Sequence, residues 1–343
     1  MSRPTVMGWS DGGSACEYYR LRVPLEHLAD KDIIDVRIGG QFQLPRRDVL
    51  PDVVIGQRVN RPEPATFWSM MAAGALGPRP RMIYELDDDL FHVEPDSPVY
   101  EHYSKPETPH VILESLTLAD VVTVSTQPLA DEVRRQVARW GVRRCPPIHV
   151  IPNALPRIAY AEESRGLRFG SRTVGWAGSS THQRDFDVVT RDLARFLKAN
   201  PRWRFVAFGP LFPQVAKAIP AEQRERLGWV RNMGSYYRML DRFDVGIIPI
   251  QDNAFNRSKS DVKFLEYAAR RIPAVASWAG PYEQHCRTGL CLGAQRDRKV
   301  EWTHALRSAA TGGQRLVQRA YDYAWSRRVE SVEQKWLEVI FGG

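Results

Sequence analysis

The chain has 343 residues, 43% hydrophobic and 26% charged, with 10 tryptophans and 13 phenylalanines. That composition fills two cores of ordinary size and excludes a disordered chain. The formal charge of +8 favours acidic partners such as nucleic acid, anionic lipid headgroups or phosphorylated ligands, with a solvated basic surface as the plainer alternative.

No apolar run is long enough to span a bilayer, and "MSRPTVMGWSDGG" lacks the apolar centre of a signal peptide, so a cytoplasmic location is expected. Cys16, Cys145, Cys286 and Cys291 form no CxxC pair, which argues for reduced thiols and against a disulfide framework or a zinc site.

Short valine- and isoleucine-rich runs recur along the chain. "TVMGW" (5–9), "DIIDVRI" (32–38), "DVVIGQ" (52–57), "RMIYEL" (81–86), "VVTVS" (121–125) and "IHVIP" (148–152) alternate with helical segments, the rhythm of a parallel sheet with crossover helices. Leu129, Val133 and Val137 repeat every four residues behind Pro128 and predict a helix after the fifth run. Residues 152–172, "PNALPRIAYAEESRGLRFGSR", are polar and proline-bearing and read as a linker. A second series follows with "TVGWAG" (173–178), "WRFVAFG" (203–209), "DVGIIPI" (244–250) and "PAVAS" (273–277). The pattern therefore predicts two α/β domains. In the last stretch, Val317, Tyr321, Ala324, Val329, Val332, Trp336 and Val339 predict one or two amphipathic helices.

Ligands of open parallel sheets bind beyond the carboxyl ends of the strands, and the distinctive loops sit there. After the first strand, "SDGGSACEYYR" carries Gly12 and Gly13, which let backbone approach a phosphate or sugar, or make an ordinary turn. After the fourth, Asp87, Asp88 and Asp89 are placed to orient an acceptor hydroxyl, take its proton or bind a metal, or else to cap a helix. After the first strand of the second series come Ser179, His182 and Arg184.

In "FNRSKSDVKFLEYAARRIPAVAS" (255–277), Ser258 and Asp261 make a capping-box-like pattern that predicts a helix from Lys259 to about Arg270. At about 100° per residue, Lys259, Lys263 and Glu266 share one stripe beside the apolar stripe of Val262, Leu265 and Ala269. Only eight of the 48 basic residues are lysine, and two stand here as a like-charged pair that costs local stability. An anion explains them: both lysines neutralise a diphosphate at the helix start while Glu266 accepts hydrogen bonds from a ribose diol. A solvated helix with a Lys263–Glu266 surface pair is the alternative.

"KFLEYAARRIPAVAS" resembles the nucleotide-binding signature of the large family of retaining, nucleotide-sugar-dependent glycosyltransferases with the GT-B fold (the glycosyl transferases group 1). "VVTVSTQPLADEV" and "IHVIPNALP" are similar to the last helix and strand of that family's first domain. "TVGWAGSSTHQRDF" is similar to the opening of its second, and the final helix to the segment that crosses back.

The resemblance implies an α/β, GT-B architecture of two Rossmann-like domains facing across a cleft. An acceptor domain would cover residues 1–155, a nucleotide-sugar domain 156–318, and a C-terminal helix from 319 to 343 would return to the first domain. It implies sugar transfer from a nucleotide sugar, UDP-linked before others, with retention and no cofactor or metal required. Asp88, flanked by Asp87 and Asp89, falls on the acceptor-side catalytic loop.

The departures are specific. Where many members have a glutamate eight positions before the second, Ser258 stands before Glu266, and Gly178 is followed by Ser179 instead of arginine. His182 and Arg184 are the expected substitutes for phosphate contact. The basic charge favours a hydroxymethylated pyrimidine in DNA as acceptor, as in some viral members of this fold; a saccharide or lipid-linked saccharide at the inner membrane face is the alternative. A non-catalytic nucleotide or nucleic-acid binder on a decayed scaffold is the reading from another class. "GWSDGG" lacks the GxGxxG pattern, which disfavours a dehydrogenase.

Overall fold

The computed structural model describes residues 3–40, 51–142, 144–161, 172–230, 232–294 and 301–342. Residues 162–171 of the linker reading lie outside them. Two six-stranded sheets, every strand pair parallel, form the framework.

The first sheet holds β1 (Thr5–Trp9), β2 (Asp35–Gly39), β3 (Val53–Gln57), β4 (Arg81–Leu86), β5 (Val121–Val124) and β6 (Ile148–Val150) in the order β2-β1-β3-β4-β5-β6. The second holds β7 (Arg172–Ala177), β8 (Trp203–Phe208), β9 (Arg224–Leu227), β10 (Val245–Ile248), β11 (Ala274–Ser277) and β12 (Leu292–Ala294) in the order β12-β11-β10-β7-β8-β9. Every strand expected from the valine-rich runs is present. β9 and β12, the two outermost strands of the second sheet, were not anticipated.

Central strands are buried on both faces, as the crossover helices require; β3, β5, β10 and β11 are buried at every residue. Strand order reverses between β1 and β3 in one sheet and between β7 and β10 in the other. Crevices therefore open at the carboxyl ends of those two pairs.

Five helices position the rest: α1 (Val23–Asp30), α2 (Gln127–Arg139), α3 (Val262–Ala269), α4 (Gln314–Ser326) and α5 (Glu333–Phe341). α1 continues a π-helical turn, Tyr18–Arg22. This wide turn sends Tyr19 toward the second sheet's domain and buries Arg20 in the first, where its Nε donates to Glu85 at 2.6 Å and its Nη1 donates to the Ile151 carbonyl.

α4 packs on α3, through Ala320 and Ala324 in the cluster of Phe264, Leu265 and Ala268. The chain then returns: Leu155 N–H donates to Arg327 O, and Val329 N–H donates to Leu155 O. Beyond that crossing, Val332, Trp336, Val339 and Ile340 pack with Leu21, Leu25 and Leu28 of the first domain.

The start of α3 corrects the sequence reading. The helix begins at Val262, so Lys259 lies in the preceding loop and not on its stripe. Ser258 and Asp261 form no capping box: Asp261 is the N-cap residue but its side chain caps nothing. Its carboxylate instead accepts from Arg327 Nη1 at 3.0 Å and pairs with His285 Nε2 at 3.0 Å. Arg327 Nη2 also donates to Asn153 O, which ties α3 to the crossing point. The cap nearby belongs to Asn253, whose side chain accepts from Asn256 N.

Candidate active site

A glycine sets α3 against the second sheet. A Cβ on Gly246 would lie 2.5 Å from the Tyr267 ring, so glycine at this strand position lets the ring lie close against β10. The Tyr267 hydroxyl then accepts from Ala177 N at 3.2 Å, at the end of β7. The side of α3 that carries Lys263 and Glu266 is thereby fixed beside the β7–β10 crevice.

Glu266 is buried, 2% exposed, and is shared between the domains. Its Oε1 accepts from the Tyr19 hydroxyl at 2.6 Å, and its Oε2 from Tyr236 at 2.8 Å and from Lys263 Nζ at 2.7 Å. Burial raises both phenols well above the ordinary tyrosine value, so they stay protonated donors. The domains meet again where Thr126 Oγ1 donates to Ser258 O, where Asn153 donates to Ser260 Oγ, and where Arg184 Nε pairs with Asp96 at 2.6 Å.

After β7 the chain turns through Ser180–His182 and Arg184–Val188. Asp185, buried in this turn, spans the crevice: its Oδ1 accepts from Gln251 N at 2.8 Å and from Asn256 Nδ2 at 3.1 Å, both beyond β10. Its Oδ2 pairs with His182 Nδ1 at 2.8 Å. Burial and the nearby charge of Lys259, with a smaller push from Lys263, hold the His182 imidazole below its ordinary value, against the pull of Asp185. The two lysines and His182 thus share one electrostatic neighbourhood. Lys259 Nζ lies 4.8 Å from the Phe255 ring centre.

The first domain answers with acids. Arg58, directly after β3 and at a left-handed φ of 52°, donates from Nε to Asp87 and from Nη2 to Asp88, each at 2.6 Å. Nη2 also reaches Cys16 Sγ at 3.0 Å, which joins the β1 and β3 loops. Burial pushes Asp87 up, and the Arg58 charge together with hydrogen bonds from Cys16 and Arg58 outweighs it, holding Asp87 below the usual aspartate range. Asp89 faces elsewhere: its Oδ2 pairs with His92 Nδ1 at 2.8 Å and its Oδ1 accepts from Phe91 N. Burial holds its carboxyl above the usual range.

The ligand atoms of Cys16, Asp87 and Asp88 lie within 4.8 Å of one another, as do those of Asp89, His92 and Glu132. In the first group Arg58 already supplies the positive charge.

Of the residues singled out by sequence, Lys263 and Glu266 touch, and Lys259 and His182 lie near them. Arg184 is half-committed to Asp96, and Ser179 bonds Thr181 on an exposed turn. Ser258 is buried and meets the first domain through its carbonyl. Gly12 and Gly13 adopt φ of 84° and 69°, and Gly12 N–H donates to Ser10 Oγ. Asp87 and Asp88 share Arg58, while Asp89 does not join them. Sequence reasoning missed Asp185, Tyr236 and Arg58. A polar residue at a strand's carboxyl end was the available signal for Arg58; Asp185 gave none, because its partners lie far along the chain.

No protein-family model matches the sequence, and no curated protein matches it. Solved structures do. The chain is similar to Anabaena HepE in complex with UDP-glucose, with TM-score 0.69 and 14% identity over 99% of this chain and 100% of that one. It is similar to sucrose-phosphate synthase from Thermosynechococcus elongatus, with TM-score 0.68 and 12% identity over 98% of each chain. It is also similar to an alpha-glucosyltransferase in complex with UDP-glucose and DNA containing an abasic site, with TM-score 0.66 and 11% identity over 98% of this chain and 99% of that one. Two facing domains with parallel sheets and a returning C-terminal helix define the class: the chain has the GT-B fold.

Proposed function

We propose that the protein is a glycosyltransferase that moves a sugar from a nucleotide-sugar donor to a hydroxyl acceptor with retention. The observation that carries this is Glu266, a buried carboxylate reached by Tyr19 of the first domain and by Tyr236 and Lys263 of the second, with the charge of Lys259 and Lys263 acting on His182 after β7. Cations there stabilise a departing diphosphate as its charge grows. Glu266 receives the ribose diol by exchanging phenol donors for sugar hydroxyls. A UDP-sugar is the expected donor, since the neighbours named above include two bound to UDP-glucose.

Asp88, held by Arg58, receives the acceptor. For the acceptor itself, the charge of +8 favours a polyanion, and hydroxymethylated pyrimidine in DNA is our first choice. Such a base must leave the stack to reach the site. A second reading has an observation of its own: both oxygens of Glu266 are already occupied by Tyr19, Tyr236 and Lys263, as in a scaffold that binds nucleotide without turnover.

Incubation with UDP-, GDP-, dTDP- and ADP-glucose, with modified and unmodified duplex DNA and a lipid-linked saccharide as acceptors, separates these. Transfer to the modified duplex supports the full proposal. Transfer only to the saccharide removes the DNA acceptor, and tight binding without transfer or slow hydrolysis favours the binder.

A further inference from the structure

His182 is held at one edge only. Its Nδ1 pairs with the buried Asp185, while no described hydrogen bond involves Nε2 at the other edge. With Nδ1 as the donor to a carboxylate, a neutral imidazole presents a bare lone pair at Nε2. The charged groups that act on the ring are Asp185 on its own turn and Lys259 and Lys263 across the crevice, and the Trp176 ring packs edgewise with centroids 6.1 Å apart. A lone pair suits two ammonium groups. It does not suit a diphosphate diester carrying two negative charges, which would lie against an acceptor with no proton to offer.

We propose that binding of the donor's diphosphate draws one proton from solvent onto His182 Nε2, turning the ring into a charge-assisted donor to a phosphate oxygen, with Asp185 as the residue that positions it. The inference rests on the donor reading above. The incoming charge neutralises the lysines that disfavour the imidazolium, and Asp185, already bonded to Nδ1, stabilises the cation that forms. The proton returns to solvent when the diphosphate leaves. Asp185 is fixed by Gln251 N and Asn256 Nδ2, so ring orientation is coupled to the loop beyond β10 that leads toward Lys259.

The test is titration calorimetry of the four nucleotide glucoses at about pH 7.5 in HEPES and in Tris, whose ionisation enthalpies differ, so the difference in observed heat counts protons. Sugar diphosphates are diesters and exchange no proton of their own in this range. Proton uptake is expected on binding, with affinity falling as pH rises by up to about tenfold per unit between the ring's free-state and bound-state values and levelling off above the latter. Uptake should vanish in His182→Gln, which leaves the Asp185 bonds to Gln251 and Asn256 in place. It should shrink in Asp185→Asn, which removes the charge that stabilises the imidazolium and whose single oxygen can serve Nδ1 or the Gln251 and Asn256 donors but not both.

Binding with equal heats in both buffers and no pH slope overturns the inference while leaving the donor reading intact. So does unchanged uptake in His182→Gln. No binding by any of the four overturns the donor reading and this inference with it.

Discussion

The two crevices of the molecule have the same origin, a reversal of strand order, and different electrostatics. At β1–β3, two aspartates are clamped by one arginine, so the acids arrive with their counter-charge built in. At β7–β10, two lysines and an imidazole gather around one crevice, and the acids among them, Asp185 and Glu266, are tied by neutral donors as well as cations. Counted as charges, two aspartates outnumber Arg58 at β1–β3, whereas two lysines match Asp185 and Glu266 at β7–β10, so a proton on His182 leaves that crevice with a positive excess for an anionic ligand. The difference teaches that a shared topology fixes where ligands gather, while the residues after each strand decide what gathers there.

The comparison breaks most visibly if the lysines go. Replacing Lys259 and Lys263 together by alanine removes two charged partners, each worth about 2 kcal/mol, so nucleotide-sugar affinity should fall by roughly a thousandfold in calorimetry. An equal loss from removing Arg58 alone would erase the distinction between the crevices.

Next in size is the joint that holds the crevices opposite each other. Asp261→Asn leaves Arg327 without its carboxylate and should cost about 3 kcal/mol in urea unfolding. Burial tends to raise the Asp261 carboxyl, but the hydrogen bond with His285 and the Arg327 charge outweigh it and hold it below the usual aspartate range. A depressed native value means that this stability is fully present above the ordinary aspartate pKa of about 3.9 and is lost as pH falls through the lower native value. Acid unfolding of the wild type should therefore steepen below about pH 4, and Asp261→Asn should lack that component.

On the acid side, Asp88→Asn keeps the shape and removes the charge proposed to receive the acceptor hydroxyl. A loss of about 100-fold in kcat with little change in donor KM is expected from steady-state kinetics. A change in donor KM alone would move Asp88 to the donor side. The smallest effect belongs to the exposed strap between the domains. Asp96→Ala should change thermal stability by less than about 1 kcal/mol, an amount that added salt further reduces.

Much of the framework could be read from the chain because buried parallel strands write themselves as uninterrupted valine and isoleucine runs. β9 (Arg224–Leu227) did not, since an outermost strand needs an apolar face on one side at most and this one reads "RERL". β12 is three residues, too short to carry a pattern. The Lys263–Glu266 contact was legible because three residues is one helical turn.

The start of α3 was misplaced because a local capping rule competed with a distant partner: Asp261 serves Arg327, 66 residues on, instead of its own helix. Asp185 was invisible for the same reason, its backbone partner Gln251 also being 66 positions away. Tyr19 stands in the "SDGGSACEYYR" stretch, where only the glycines gave a local signal. That it crosses to Glu266 depends on how two domains close, which no local spacing encodes.

The central claim is where the diphosphate lies, and a crystal structure with bound nucleotide sugar tests it most directly. The account predicts phosphate oxygens within hydrogen-bonding reach of Lys259 Nζ, Lys263 Nζ and His182 Nε2, with the ribose hydroxyls on Glu266. A diphosphate seated on the Gly12–Gly13 turn, with Lys259 and Lys263 unchanged and the Tyr19–Glu266 bond intact, would contradict it.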